Sequence, residues 1–400
     1  MLGSRVQRYE DCQRNGNERA DVVLGVRISV KPEEGPGPRQ AGGALRRRLA
    51  AVAAAIALVA AMTVSSPANA AVDRLTQANL ARVGVFTNWL QANHVPGVID
   101  EVGWPGNRSA TENRQWNSLA TTVYKRLAQL GVPTDYWETG EKNAMLDPYE
   151  PGSGGQLVML KSQAGPQRGI NIGSGEHPGS PYPGIDLINK VAADGFTSVR
   201  LPFNWETLQP ASMSALNESK VAKLQLTVRA ILAAGMTVQI DNHNYARYNG
   251  RWTTPAQLSD FWKRLAPRFP DHRVSFGMMN EPFSTDFRPG VQRNLAADWE
   301  HISAATVTAI RHVGSTNLVT VSGFRWSNAY FWSCTHPKPW IVDPAKNYRY
   351  EAHTYFDRDT SGRYASPYAN TSADSPSCAA VNNSAHPGPV PQPSGGPTPR

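Results

Sequence analysis

Residues 197–241, "TSVRLPFNWETLQPASMSALNESKVAKLQLTVRAILAAGMTVQID", contain one complete structural repeat. Two short apolar runs, TSVRLPF (197–203) and MTVQID (236–241), bracket a segment in which Val221, Leu224, Val228 and Ile231 recur at steps of three and four. That spacing lines one face of a helix. Gly235 stands between the helix and the second run, where a left-handed C-cap is needed. Strand, helix and strand in this order make a unit whose two strands run parallel in one sheet.

The same alternation runs from about residue 75 to 360. GVIDEVG (97–103), TDYWET (134–139), RGINIG (168–173), VSFGMM (274–279), NLVTVSG (317–323) and YRYEAHTYF (348–356) read as further strands. Leu295, Trp299, Ile302 and Ile310 mark another helix face, and Gly131, Gly195 and Gly314 repeat the C-cap position of Gly235. Roughly eight strands with as many helices predict an α/β fold of the (β/α)8 TIM-barrel type rather than an open doubly wound sheet. No Gly-x-Gly-x-x-Gly opens a helix, so a dinucleotide cofactor has no support and no cofactor is expected.

The flanks read differently. Residues 44–72, "ALRRRLAAVAAAIALVAAMTVSSPANAAV", followed by Asp73, have a basic start, a short apolar stretch and the small-residue sequence Ala68-Asn69-Ala70. This is the layout of a secretory signal peptide cleaved near Ala70, and it predicts an extracellular protein without stable membrane insertion after processing. The expected organisation is a leader and signal over 1–70, a barrel over 71–385 and a Pro/Gly-rich linker or tail over 386–400, beyond which a further module could have stood. The net charge is +8, but residues 1–70 hold 10 Lys and Arg against 6 Asp and Glu, so processing leaves +4. With no basic run interleaved with aromatics, no nucleic-acid partner is expected. Cys12 leaves with the leader, and export makes a Cys334–Cys378 disulfide the expected state of the remaining cysteines.

In a TIM barrel the reactive groups gather at the C-terminal strand ends. Those ends carry Glu101, Tyr136 with Trp137, Glu176, Arg200, His243 with Asn244, Asn280 with Glu281, and His353 with Tyr355. The set lacks His-x-His and His-Glu-x-x-His spacings, so no metal is expected, and no Gly-x-Ser-x-Gly elbow supports a serine nucleophile. Two glutamates with Trp and Tyr suit glycoside cleavage, which needs one carboxyl to protonate the leaving oxygen, another to attack the anomeric carbon, and aromatic faces to hold sugar rings.

"VRLPFNWETLQP" (199–210), "IDNHNYARYNG" (240–250), "VSFGMMNEP" (274–282) and "HTYFDRDTSG" (353–362) resemble successive strand-end motifs of glycoside hydrolase family 5, in its cellulase branch. The resemblance covers about Arg168 to Asp359 and corresponds to the family's strands one to six. "FTNWLQANHVPGVIDEVGWPG" (86–106) resembles the sixth helix and seventh strand, and "LAQLGVPTDYWETG" (127–140) the seventh helix and eighth strand. The resemblance therefore implies a circular permutation in which strands seven and eight precede strand one.

It also implies roles. Glu281 would be the acid/base and Glu101 the nucleophile of a retaining hydrolase; Arg200 would keep Glu101 ionised and Tyr355 would hydrogen-bond to it. Asn280 would hold the sugar 2-hydroxyl, His243 and His353 would line the cleft, and Trp137 would stack under the sugar. Asp241 and Glu351 read as anchors inside strands, while Tyr245, Tyr248 and Trp252 read equally as sugar platforms or loop packing. The stretch "WETGEKNAMLDPYEP" (137–151) departs from the family, and Glu138 and Glu141 would make that side of the cleft acidic. The implied activity is a secreted endo-β-1,4-glucanase with a polysaccharide or oligosaccharide substrate. The alternatives are hydrolysis of another β-glycoside (mannan, mixed-linkage glucan, aryl or disaccharide glycosides) and, from another class, a non-catalytic carbohydrate-binding barrel.

Overall fold

The computed structural model describes residues 73–372 except 141–146, 150–152, 164–167, 174 and 287–290. The leader and signal, Cys378, Glu141 and the tail from 386 lie outside the described residues. Within them, eight parallel strands close a barrel: β1 Gly97–Gly103, β2 Thr134–Thr139, β3 Arg168–Ile172, β4 Ser198–Phe203, β5 Thr237–Asn242, β6 Val274–Gly277, β7 Val319–Ser322 and β8 Tyr348–Tyr355. Sequence neighbours pair throughout, and β1 closes the ring on β8 with Gly97 opposite Tyr350 and Gly103 opposite Tyr355. The predicted (β/α)8 barrel is what the chain forms. Strands buried on both faces explain the nearly continuous apolar runs, since the barrel interior covers one side and the helices the other.

Helices α1 Arg74–Asn93, α2 Ala110–Gln129, α3 Gln156–Ser162, α4 Ile185–Ala193, α5 Glu218–Ala233, α6 Pro255–Leu265 and α7 Val291–His312 surround the strands. Their starts are set locally: the Asp73 carboxylate accepts from Thr76 N at 2.8 Å, and Thr254 with Gln257 forms a capping box ahead of Pro255. The face Val221, Leu224, Val228 and Ile231 is buried as read. Gly131, Gly195, Gly235 and Gly314 all have positive φ, between 68° and 87°, conformations that a Cβ would strain.

Two irregularities shape the mouth. Across β1 and β8, Ile99 faces Ala352 and Glu101 faces His353, so Asp100 is an extra residue on β1. Between β2 and β3, Tyr136 faces Ile170 and Thr139 faces Ile172, which adds a residue near Trp137. Such bulges end the strict alternation of faces and re-aim side chains.

Helix α1 lies over β8: Trp89 packs edge-on against Tyr350 at 5.0 Å, and Arg82 Nη1 donates to the Asp357 carbonyl at 2.7 Å. The segment after β8 returns to the start of α1, where Tyr368 Oη donates to Asp73 Oδ2 at 2.7 Å. The helix that covers the last strand is thus the first helix among the described residues.

Candidate active site

Arg200, central on β4 and fully buried, organises the mouth. Its Nη1 meets Glu101 Oε1 at 2.7 Å, its Nη2 meets Asn280 Oδ1 at 2.7 Å and Asp241 Oδ1 at 3.1 Å, and its Nε lies 3.3 Å from Asp100 Oδ2. The guanidinium fork serves several oxygens in one plane, which a lysine ammonium cannot do. Asn280 is oriented by this contact: with its oxygen taken by Arg200, its amide faces His243 Nε2 at 3.0 Å, and His243 Nδ1 meets Asp241 Oδ2 at 2.8 Å. Trp137, half-buried, stacks on His243 with ring centroids 5.6 Å apart and planes 16° apart.

Glu101 also accepts from Tyr355 Oη at 3.0 Å and lies 3.2 Å from His353 Nδ1. Burial would raise its pKa, but the charges of His353 and Arg200 and the His353 hydrogen bond outweigh burial and hold it at about 2. Glu281 follows β6 with φ of 42°, the left-handed region, and its Oε1 meets His353 Nδ1 at 2.8 Å. Burial, reinforced by the negative charge of Glu101, raises the Glu281 pKa despite the histidine. One ligand-type oxygen of each glutamate lies within 4.8 Å of the other. Two carboxyl groups whose environments push their pKa values apart can divide into an ionised group and a proton donor.

Every described residue expected to carry the chemistry sits in this cluster: Glu101, Trp137, Arg200, His243, Asn280, Glu281, His353 and Tyr355. Asp241 and Glu351 are anchors, holding Arg200, His243 and His353. Tyr136 is instead a core residue, edge-on to Trp104 at 5.1 Å, and the Asn244 side chain accepts from Trp205 N. Tyr248 is loop packing, with its hydroxyl on the Gln209 carbonyl. Glu138 is buried, with 2 % exposure, and its charge bears on the Tyr355 hydroxyl. Cys334 is disulfide-bonded, while its expected partner Cys378 lies outside the described residues. The residue that the sequence reading missed is Asp100, buried beside Arg200 and His353.

Glu101, Glu281 and His353, and likewise Asp100, Glu351 and His353, each bring three ligand-type atoms within 4.8 Å. Both sets share one imidazole, and Arg200 already places a fixed positive charge against three of the four carboxylates. A second cation there would be repelled by the first.

The sequence pattern described as Cellulase (glycosyl hydrolase family 5) matches residues 163–386. The chain belongs to glycosyl hydrolase family 5. Glu281 lies inside the matched residues and Glu101 outside them. Among curated proteins, the chain is 31 % identical to the manganese dependent endoglucanase Eg5A of Phanerodontia chrysosporium, over 46 % of this chain and 48 % of that protein. It is 28 % identical to endo-beta-1,4-glucanase B of Emericella nidulans, over 57 % and 72 %. Among solved structures, the endo-beta-1,4-glucanase Xac0029 of Xanthomonas axonopodis pv. citri is 34 % identical over 50 % of this chain and 68 % of that one, with a TM-score of 0.45. The Pseudomonas stutzeri endoglucanase Cel5A is 33 % identical over 51 % and 66 %, with a TM-score of 0.46. The chain spans about half the length of the first curated relatives it matches, 48 % and 59 %.

Proposed function

We propose that this family 5 chain is a secreted retaining endo-β-1,4-glucanase whose nucleophile is Glu101 and whose acid/base is Glu281. The observation that carries the reading is the opposed pair: a carboxylate held at about pKa 2 and a carboxyl raised by burial, with oxygens within 4.8 Å. Inverting enzymes hold their carboxyls roughly 6.5–9.5 Å apart to admit a water, whereas about 5–5.5 Å suits direct attack. Glu101 attacks the anomeric carbon while Glu281 protonates the departing oxygen; Glu281 then removes a proton from the water that hydrolyses the glycosyl-enzyme. The Arg200 and Tyr355 contacts keep the Glu101 lone pair aimed and unprotonated. Asn280, fixed between Arg200 and His243, presents its amide to the sugar 2-hydroxyl, and Trp137 offers the stacking face.

The circular permutation belongs to this proposal. It is supported by α1 covering β8, by the contact of Tyr368 with Asp73, and by the position of Glu101 ahead of the family match. Export by the signal over 1–70 and the Cys334–Cys378 bridge are proposed with it. Among the described residues no helix is long and apolar enough to cross a membrane.

The reading is tested by following product anomers by proton NMR on soluble β-1,4-glucan: new reducing ends appear first as the β anomer. Initial α anomer refutes retention, and cleavage of mannan or mixed-linkage glucan without β-1,4-glucan moves the substrate to the alternative. Glu281→Ala keeps most of its glycosylation rate on dinitrophenyl glycosides, loses about 100-fold or more on the polysaccharide, and regains turnover with azide as a β-glycosyl azide. An equal loss on both substrates assigns the acid to another residue.

A further inference from the structure

Beneath the two reacting glutamates lies a second pair of carboxyl groups that bond making and breaking do not use. Asp100 is the bulged residue of β1 and Glu351 comes from β8; both are fully buried. His353 stands between the two pairs. Its Nδ1 edge faces Glu281 at 2.8 Å and Glu101 at 3.2 Å, and its Nε2 edge faces Asp100 Oδ1 and Glu351 Oε1, each at 3.3 Å. The two lower carboxyls differ in what else they touch. Glu351 Oε1 is shared with Arg200 at 3.3 Å and Oε2 with Gln239 at 3.4 Å. Asp100 Oδ2 takes Gln239 Nε2 at 2.9 Å and lies 3.3 Å from Arg200 Nε, whereas Oδ1 has His353 as its ion-pair partner and makes no hydrogen bond among the described residues; the hydrogen bond at Nε2 goes to Glu351 Oε1. A buried carboxylate oxygen without a hydrogen bond relies on the one charge beside it, here the imidazole.

We propose that Asp100 is a positioning residue for hydrolysis: through Nε2 it sets the plane of His353, so that Nδ1 stays in the gap between the nucleophile and the acid/base. The proposal rests on the roles given above to Glu101 and Glu281. The bulge is what makes it possible, because a regular strand would send Asp100 and Glu101 to opposite faces. The groups around the imidazole are Asp100 and Glu101 from β1, Glu281 after β6, and Glu351 and Tyr355 from β8. Arg200 of β4 stands behind the carboxylates, and Asp241 of β5 and His243, just after β5, lie beyond Asn280. Burial and the charge of Glu351 push the Asp100 carboxyl well above its usual range. At His353 burial is overridden by Glu101 and by hydrogen bonds to Asp100, Glu101 and Glu281, which raise it well above the usual imidazole range. A free rotation of the ring would leave Glu281 without its hydrogen-bond partner.

The test compares Asp100→Ala and Asp100→Asn on aryl β-cellobiosides of graded leaving group, with Asp100→Ser replacing the alanine variant should that chain not fold. Released from Nε2, His353 no longer orients the acid, and misplacement by about 1 Å costs on the order of 100-fold. Asp100→Ala is therefore expected to lose about 100-fold in kcat on the phenyl glycoside, which needs the proton of Glu281, and less than about tenfold on the dinitrophenyl glycoside, which does not. KM stays within about twofold, and Asp100→Asn, whose amide oxygen still faces Nε2, recovers most of the loss. Independently of turnover, nitrogen-15 NMR of the His353 ring is expected to show its pKa lowered in Asp100→Ala. Equal losses on both glycosides, an unmoved His353 titration, or an asparagine variant as impaired as alanine each overturn the proposal. The ring titration decides about Asp100 even in a chain without turnover, so inactivity on β-1,4-glucan or on the cellobiosides refutes the substrate reading alone.

Discussion

Glu101→Gln is expected to lose at least about 10⁴-fold in kcat on every β-glycoside, activated or not, which corresponds to at least about 5 kcal/mol of barrier. The substitution keeps the side-chain shape, so Arg200 Nη1 still finds an oxygen where Oε1 stood and the fold is preserved. What is lost is the anion that attacks the anomeric carbon. An amide is a far poorer nucleophile, and the leaving group cannot compensate because no glycosyl-enzyme forms. This separates the residue from Glu281, whose removal is tolerated when the leaving group departs unaided. The small variant Glu101→Ala sharpens the contrast: azide entering the vacated space displaces the leaving group once and gives an α-glycosyl azide, opposite in anomer to the product of Glu281→Ala. A Glu101→Gln chain that turned over dinitrophenyl cellobioside at more than a few per cent of the parental rate would remove the nucleophile from this position and, with it, the reason to place strand seven of the family at the front of the chain.

Much of this site was legible because its residues sit where strands end. β1 and β2 have the limits read from apolar runs, and Glu101, Arg200, Glu281, His353 and Tyr355 come together because a barrel brings eight such ends to one rim. What could not be read is tied to the two bulges. A period of two assigns adjacent residues to opposite faces and so gives no reason to single out Asp100 beside Glu101, yet the extra residue on β1 places it near Arg200 and His353. The same slip on β2 lies at Trp137, next to the buried Glu138. Small offsets elsewhere have a plain cause: MTVQID pairs from Thr237 to Asn242 and VSFGMM pairs only to Gly277, because ladder bonds depend on the neighbouring strand as well as on side-chain polarity. Asn171 was silent in sequence for a related reason. Its amide reaches the Asp100 and Tyr136 carbonyls, and a strand-interior asparagine shows its partners only once three strands are placed.

Removing the central cation is expected to damage the fold as severely as removing the nucleophile damages turnover. Arg200 is wholly buried and faces Asp100, Glu101, Asp241 and Glu351, so Arg200→Met leaves these carboxyls in the barrel without their fixed counter-charge. Breaking a buried ion pair by deleting one partner costs about 3–5 kcal/mol, and here one partner serves several acids. The cost must depend on pH, and its sign follows from Glu101. In the parental chain its folded pKa of about 2 lies below the ordinary 4.5, so the stability that it contributes is present above about pH 4.5 and is lost as pH falls towards 2. Without Arg200 burial is opposed by less positive charge, the buried carboxyls bind protons more tightly in the folded state than in the unfolded one, and stability falls as pH rises. Urea unfolding of Arg200→Met is therefore expected to lie closer to the parental chain at about pH 4.5 than at about pH 7.5, where the two diverge by several kcal/mol. A loss of equal size at both values would mean that the arginine acts through its packed volume alone, and the electrostatic account of how Glu101 is kept ionised would fail with it.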